Sequence, residues 1–427
     1  MIAVRRQQMK KNTKNKNFMI CLFLVMLVQA VRYFPFKFGG WNQVQLSFSY
    51  EYGFIQRGFL GTLLNLTSRI FHIPWGYMRY IHAFLTMGTF TLLMLWLVYR
   101  ALREEEMDVA VKRFLSGLAL VFFMGPGWST NYSNFALMEL WLPILSILGM
   151  YALVKGKHMW CIPVIAVVCE LIHTGYVFLY FNLILVVFYY KIFMEKGADI
   201  RHSDTKHSDT KKYIVYGIVT FVLTSILFLY MMFAATAREG ITIDYVIERT
   251  AEFMHKPIEE IETQRELIQG YLFRDGGFSG IAFDIKDYWL LLIVMLVLFS
   301  PFIYEVYRYW KLVAKEAGKL GAGYALIPLG IVTTIPMYIM HCDYGRWTYA
   351  AFFYEFACIW LLNVTGDRAA AKAASKMMER IDANKTYYLV LLFYAGITGA
   401  FAQNLINPMV SMIESYGWKV LGALGIG

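Results

Sequence analysis

Met340-His341-Cys342-Asp343-Tyr344-Gly345-Arg346-Trp347 sits between two apolar runs, 324–340 and 347–364. A membrane-spanning helix needs about 20 predominantly apolar residues. The two runs approach that length, so the stretch reads as the turn between two adjacent spans. Six of its residues hold an imidazole, a carboxylate and a guanidinium beside hydrocarbon. Charge next to lipid is expensive and is kept for function.

The composition agrees with this reading. Of 427 residues, 58% are hydrophobic, 17% aromatic and 16% charged. Soluble domains carry about 25% charged residues. Mean hydropathy is +0.48. The formal charge of +10 does not point to nucleic acid, because the basic residues fall at the ends of apolar runs rather than on one face. Cys21, Cys161, Cys169, Cys342 and Cys358 show no CxxC spacing. Neither a disulfide framework nor a zinc site is indicated.

The N-terminus carries Arg5, Arg6, Lys10, Lys11, Lys14 and Lys16, then an apolar run over 18–31. A signal peptide has the same layout. No small-x-small cleavage site followed by a soluble domain appears, so the run reads as a first span with its N-terminus in the cytoplasm. Further spans are expected near 80–99, 114–124, a run ending near 154, a pair within 159–193, then 213–235, 288–307, 324–340, 347–364 and 387–405. The run 159–193 is too long for one crossing and is interrupted by Glu170, His173, Thr174 and Gly175, which predicts two short helices with a break. The fold expected is an all-α integral membrane protein with about eleven spans. It forms one polytopic domain over 1–427, with an external segment 36–79 and a long external loop 238–287.

The external segment mixes Phe54, Phe59, Leu60, Leu63, Leu64, Leu66, Ile70 and Phe71 with Arg57 and Arg69, which suits a helix lying in the interface. The long loop is acidic and predicts one or two amphipathic helices between Asp244 and Gln269, then a flexible turn at 275–280. Loop 191–212 contains a tandem His-Ser-Asp-Thr-Lys at 202–206 and 207–211, read as a solvated cytoplasmic linker rather than a metal site.

The ionisable residues near apolar runs cluster on one side. They are Glu51, Arg57, Glu139, Glu170, His173, His341, Asp343 and Arg346, with Glu355 deeper. The opposite halves of the spans are nearly free of charge, apart from Glu305. A charge field confined to one leaflet implies a polar cavity open to the outside, rather than an ion path through the membrane. Each residue also has a structural reading. Arg57 can anchor an interfacial helix, Asp343 and Arg346 can form a local ion pair, His173 can bond between helices, and Glu139 and Glu355 read mainly as structural. Glu170 and His173 share a helical face and read as coupled.

The layout resembles membrane-embedded sugar-transfer proteins of surface-polysaccharide pathways, the GT-C type glycosyltransferases and the O-antigen or capsule polymerases. The external segment after the first span, with its interfacial helix and Glu51 as its single acidic residue, is similar to the GT-C arrangement. There a carboxylate in that segment acts on the acceptor. Arg265 and Gly276 have the Arg-x10-Gly spacing of polymerase loops. The segments Tyr52-Gly53-Phe54-Ile55-Gln56-Arg57-Gly58-Phe59-Leu60-Gly61 and Asp343-Tyr344-Gly345-Arg346-Trp347 resemble multi-span proteins of capsule loci. The paired acidic motif of many GT-C enzymes is absent from the first external segment. The resemblance implies a bacterial cytoplasmic membrane, a polyprenyl-linked glycan donor and a glycan acceptor as partners.

The chemistry asks for the same residue types. A polyprenyl phosphate or diphosphate leaving group needs cations, and the planar fork of arginine suits phosphate oxygens. Arg57 and Arg346 are the candidates, with His341 beside them and Arg238, Arg249, Arg265 and Arg274 as loop contributors. A base must take the acceptor proton, a role open to Asp343, Glu51, His173 and its neighbour Glu170. No P-loop, GxGxxG or DxD-like signature is present, so no nucleotide donor, cofactor or metal is expected. A transporter or flippase of lipid-linked oligosaccharide is the alternative. An acyltransferase using His173 or His341 is a third, and it lacks a counterpart on the cytoplasmic face.

Overall fold

A computed structural model describes residues 2–32, 40–125, 128, 137–195, 210–273, 285–340 and 344–401. About 85% of the described residues are helical, and none of them is in a strand. Five helices are long and apolar enough to cross a membrane: Trp75–Arg103, Met138–Lys155, Thr210–Phe233, Leu292–Glu316 and Gly318–Met340. Asn15–Val31, Cys161–Ile172 and Phe181–Met194 are shorter apolar helices.

The helices bury one stripe and leave another to an apolar exterior. Helix α1 (Ile2–Arg32) buries Leu22 and Met26 against α4 (Trp75–Arg103) and α5 (Val109–Met124), while Phe23, Leu24, Leu27 and Val28 stay exposed. Helix α10 (Thr210–Phe233) exposes Val215, Ile218, Phe221, Ile226 and Leu229. Apolar surface of this extent on a helix of that length is satisfied by lipid, not water.

The run 159–193 breaks where expected. Helix α7 (Cys161–Ile172) ends at His173, whose backbone is extended at φ −161°. His173 Nδ1 then accepts the Gly175 N–H at 2.9 Å, and the chain resumes as α8 (Tyr176–Leu179) and α9 (Phe181–Tyr189). The expected single helix 324–340 is instead α15 (Gly321–Leu326) and α16 (Ile335–Met340), joined by a 3-10 segment Pro328–Thr334. Its carbonyls find side-chain donors, as backbone away from water must. Asn182 Nδ2 donates to Gly330 O at 3.0 Å, and the Tyr354 hydroxyl donates to Ile327 O at 2.6 Å.

One further helix lies between the expected spans 347–364 and 387–405: the basic segment there is α18 (Arg368–Ala383). Asp367 caps it by accepting the Ala370 N–H at 2.9 Å, and Ala370, Ala373, Ala374, Met377 and Met378 face inward. Arg113 Nη2 reaches Asp382 Oδ1 at 2.7 Å, and Lys376 pairs with Glu316. This ties the basic ends of α5 and α14 (Ile285–Glu316) to α18.

At the opposite end, two stretches distant in sequence dock as one cap. The first holds α2 (Gly40–Ser47) and α3 (Gly58–Phe71). The second holds three short helices rather than one or two: α11 (Ile243–Met254), α12 (Ile258–Glu262) and α13 (Arg265–Leu272). The Arg238 N–H donates to Tyr52 O at 2.8 Å, the tilted rings of Trp75 and Phe253 pack with centres 4.5 Å apart, and Phe48 packs against Tyr271. Helix α3 buries Leu60 and Gly61 and exposes Leu63, Leu66, Ile70 and Phe71. The tandem repeat over 202–209 and the turn 275–280 lie outside the described residues.

Gly61 lets α3 approach the turn after α2. A Cβ there would fall 1.8 Å from the Phe48 carbonyl oxygen, whereas nothing lies within 4 Å of one on Gly76. Gly61→Ala is expected to destabilise the protein by about 1–3 kcal/mol through overpacking. Gly76→Ala should unfold like the wild type. Thermal unfolding in detergent checks both.

Candidate functional site

A carboxylate at a helix N-terminus is the centre of the site. Glu139 sits in the 3-10 turn Met138–Leu140 that opens α6 (Trp141–Lys155), where the helix dipole favours negative charge. It is 8% exposed. Arg346 Nη1 donates to its Oε1 at 2.6 Å, and His173 Nε2 lies 2.8 Å from the same oxygen. Arg346 is the third residue of α17 (Tyr344–Val364), a position where a cation opposes the dipole. Glu139 offsets that cost, and the Trp347 ring 4.9 Å away covers one guanidinium face.

The tautomer of His173 follows from its backbone contact. Nδ1 accepts the Gly175 N–H, so the ring proton lies on Nε2 and the imidazole is neutral. Nε2 makes no well-aligned hydrogen bond despite its closeness to Glu139.

Arg57 is the fourth member and comes from the cap. Its guanidinium lies 4.2 Å from the centre of the Tyr271 ring. It lies within electrostatic reach of both Glu139 and His173. It is 7% exposed, its Nε has no partner, and no carboxylate pairs with it among the described residues. Its backbone is left-handed at φ 61°, a region that L side chains rarely adopt. Neighbouring contacts hold it there. Gln56 Nε2 donates to Met231 O at 2.6 Å, and Gly53, at φ 126°, abuts the Arg238 backbone.

No carboxylate pairs with Arg57 among the described residues, and a buried guanidinium without a paired counter-ion is costly.

Arg57, His173 and Arg346 thus converge, through Glu139, which the sequence reading had weighed as mainly structural. Tyr271 was not singled out at all. The other candidates lie elsewhere. Glu51 pairs with Arg69 at 3.2 Å and Arg249 at 3.4 Å on the cap. Arg265 pairs with Asp244 at 2.5 Å and with Glu262 on the exposed cap surface. Arg238 contributes its backbone to the Tyr52 contact and its side chain is exposed. Glu170 is 1% exposed, and neither of its oxygens has a hydrogen-bond partner. It shares no ion pair with His173 among the described residues, so the expected coupling of the two is not formed. His341 and Asp343, together with Arg274 and Gly276, lie outside the described residues. No group of three or more metal-ligating side chains occurs among the described residues.

Comparison of the chain with family models, with curated proteins and with solved structures found no match.

Arg346→Met strands the Glu139 carboxylate, and breaking a buried pair costs about 3–5 kcal/mol. Adding Glu139→Gln removes the stranded charge and should restore most of that loss. A double-mutant cycle on thermal unfolding reads the coupling directly.

Proposed function

We propose that the protein transfers sugar from a polyprenyl-phosphate or polyprenyl-diphosphate donor to a glycan acceptor, beneath the cap. The observation that carries this reading is the buried, unpaired guanidinium of Arg57 at the rim of apolar helices. Such a site takes an anion attached to a hydrocarbon, which is what a lipid-linked phosphate is. Arginine binds phosphate oxygens in a fork and stays charged through the reaction. The half-exposed apolar faces of the helices supply the surface along which an isoprenoid chain lies.

The topology fits the same reading. Beside the five long helices, we count the shorter apolar segments as further crossings, with the two halves of the run 159–193 as two, which gives about eleven. The basic end, with Arg100, Arg103, Lys155, Lys157, Lys311 and Lys315, is then the cytoplasmic side, and the cap is external. The resemblance to GT-C enzymes and polymerases of bacterial envelopes supports a cytoplasmic-membrane location. It places the acceptor carboxylate at Glu51, but the ion pairs of Glu51 with Arg69 and Arg249 favour a role in holding the cap together.

A second reading, transport of a lipid-linked oligosaccharide, is favoured by the two broken helices. The breaks at 173–175 and 327–334 come together, with Thr333 Oγ1 donating to Phe178 O at 2.9 Å. Paired discontinuous helices are a transporter device.

The left-handed backbone of Arg57 provides a clean test. Glycine has no steric cost at φ 61°, so Arg57→Gly relieves roughly 1–2 kcal/mol of local strain while deleting the guanidinium. The variant in nanodiscs is expected to melt no lower than the wild type and to lose polyprenyl-diphosphate oligosaccharide binding and sugar transfer. Mass analysis of the glycan product checks the second point. Net movement of the lipid across the bilayer, without a new glycosidic bond, would establish the transport reading instead.

A further inference from the structure

The Glu139 carboxylate is used asymmetrically. Both of its contacts among the described residues, from Arg346 and His173, fall on Oε1. Oε2 takes no protein partner among the described residues, and it is not among the fully enclosed orphan atoms. One oxygen is therefore anchored while the other faces whatever enters the site. Arg346 supplies the countercharge that a carboxylate needs away from bulk water. His173, fixed in its Nε2–H form by Gly175, brings Nε2 to 2.8 Å from the same oxygen.

We propose that Glu139 is the general base of the transfer, with Arg346 and His173 as its positioning residues and Arg57 as the ligand of the leaving phosphate. The proposal rests on the sugar-transfer reading and assigns its reacting groups. It also moves Arg346 from phosphate ligand to orienting partner. In the step, the acceptor hydroxyl lies against Oε2. Its O–H bond breaks and the proton passes to Oε2. The freed oxygen forms a bond to the anomeric carbon of the donor sugar. The bond from that carbon to the phosphate oxygen breaks, and its electron pair leaves on the phosphate, whose added negative charge meets Arg57. One glycosyl bond is lost and one is formed, so no oxidant or further reactant is needed.

If Arg346 bound the phosphate, Glu139 would face an anion with only a neutral imidazole for support. With Arg346 committed to Oε1, base and phosphate ligand stay electrostatically separate. A general base must lie within hydrogen-bond reach of the proton it takes. The open oxygen of Glu139 meets that condition better than Glu51, whose carboxylate is shared between Arg69 and Arg249.

Glu139→Gln keeps the shape and removes the proton acceptor. The test uses the full chain in nanodiscs with a polyprenyl-diphosphate oligosaccharide and a glycan acceptor, and measures donor affinity, bond formation and melting for each variant. General-base catalysis contributes about 10²–10⁴-fold, so transfer should fall by that factor while donor affinity stays within about threefold. Glu139→Asp, which keeps a shortened base, should recover part of the rate that Glu139→Gln loses. Arg346→Lys should lower kcat more than it raises KM. A Glu139→Gln protein that melts normally and transfers sugar within about tenfold of wild type would overturn the base assignment and leave the sugar-transfer reading standing. A wild-type protein that binds the donor and forms no bond would overturn both.

Discussion

One carboxylate oxygen, Glu139 Oε1, joins parts of the chain that are otherwise far apart in sequence. It holds Arg346 at 2.6 Å and His173 at 2.8 Å, and through them the start of α17 and the break after α7. In surroundings of low dielectric this contact is not a marginal surface pair. Removing one partner of such a pair costs several kcal/mol, although replacing the whole pair with apolar groups is often neutral. Its presence therefore argues for specification rather than stability. It fixes which helix ends meet beneath the cap, and it leaves a defined oxygen and a defined cation facing the same space.

The buried acids of the molecule are treated differently toward its two ends. Toward the basic end the acids are satisfied. Asp367 accepts from the Ala370 N–H, from the Tyr190 hydroxyl at 2.7 Å and from the Tyr324 hydroxyl. Glu355 accepts from Trp310 Nε1 at 2.7 Å, and Glu305 from Tyr388 at 3.0 Å. Groups with complete partner sets rigidify a core and ask for nothing further. Toward the cap, Arg57 Nε, His173 Nε2 and both oxygens of Glu170 lack aligned partners. Buried groups left unpaired cost free energy that a purely structural role would not retain. The contrast separates the supporting acids from the site more sharply than their positions in the sequence do.

Much of the helix plan was legible because apolar runs and basic termini carry it. The break at 173–175 was legible as well, since Glu170, His173 and Gly175 interrupt an overlong run. The 3-10 segment at 328–334 was not, because Pro328, Gly330 and two threonines barely disturb the hydropathy. What makes that break is Asn182 and Tyr354 from other helices. Helix α18 was hidden by its charges, although Asp367 and the inward alanines are a cap and a helical stripe in retrospect. In the site, sparse charge beside apolar sequence flagged Arg57, His173 and Arg346. Glu139 looked like an ordinary acid at a helix start. Its significance comes from two partners at distant positions, Arg346 and His173, which no local pattern encodes. Tyr271 was invisible for the same reason, since only docking of the two cap stretches brings it under Arg57.

That docking also decides when the site exists. Glu139, His173 and Arg346 belong to the apolar helices, while Arg57 and Tyr271 belong to the cap. The Arg57 backbone is held left-handed by contacts that cross between them, including Gln56 to Met231 at the end of α10. Such a conformation persists only where the surroundings over-determine it. The strained arginine and its lack of a paired carboxylate among the described residues are then one feature: the contacts that hold the backbone left-handed also hold the guanidinium beside the Tyr271 ring.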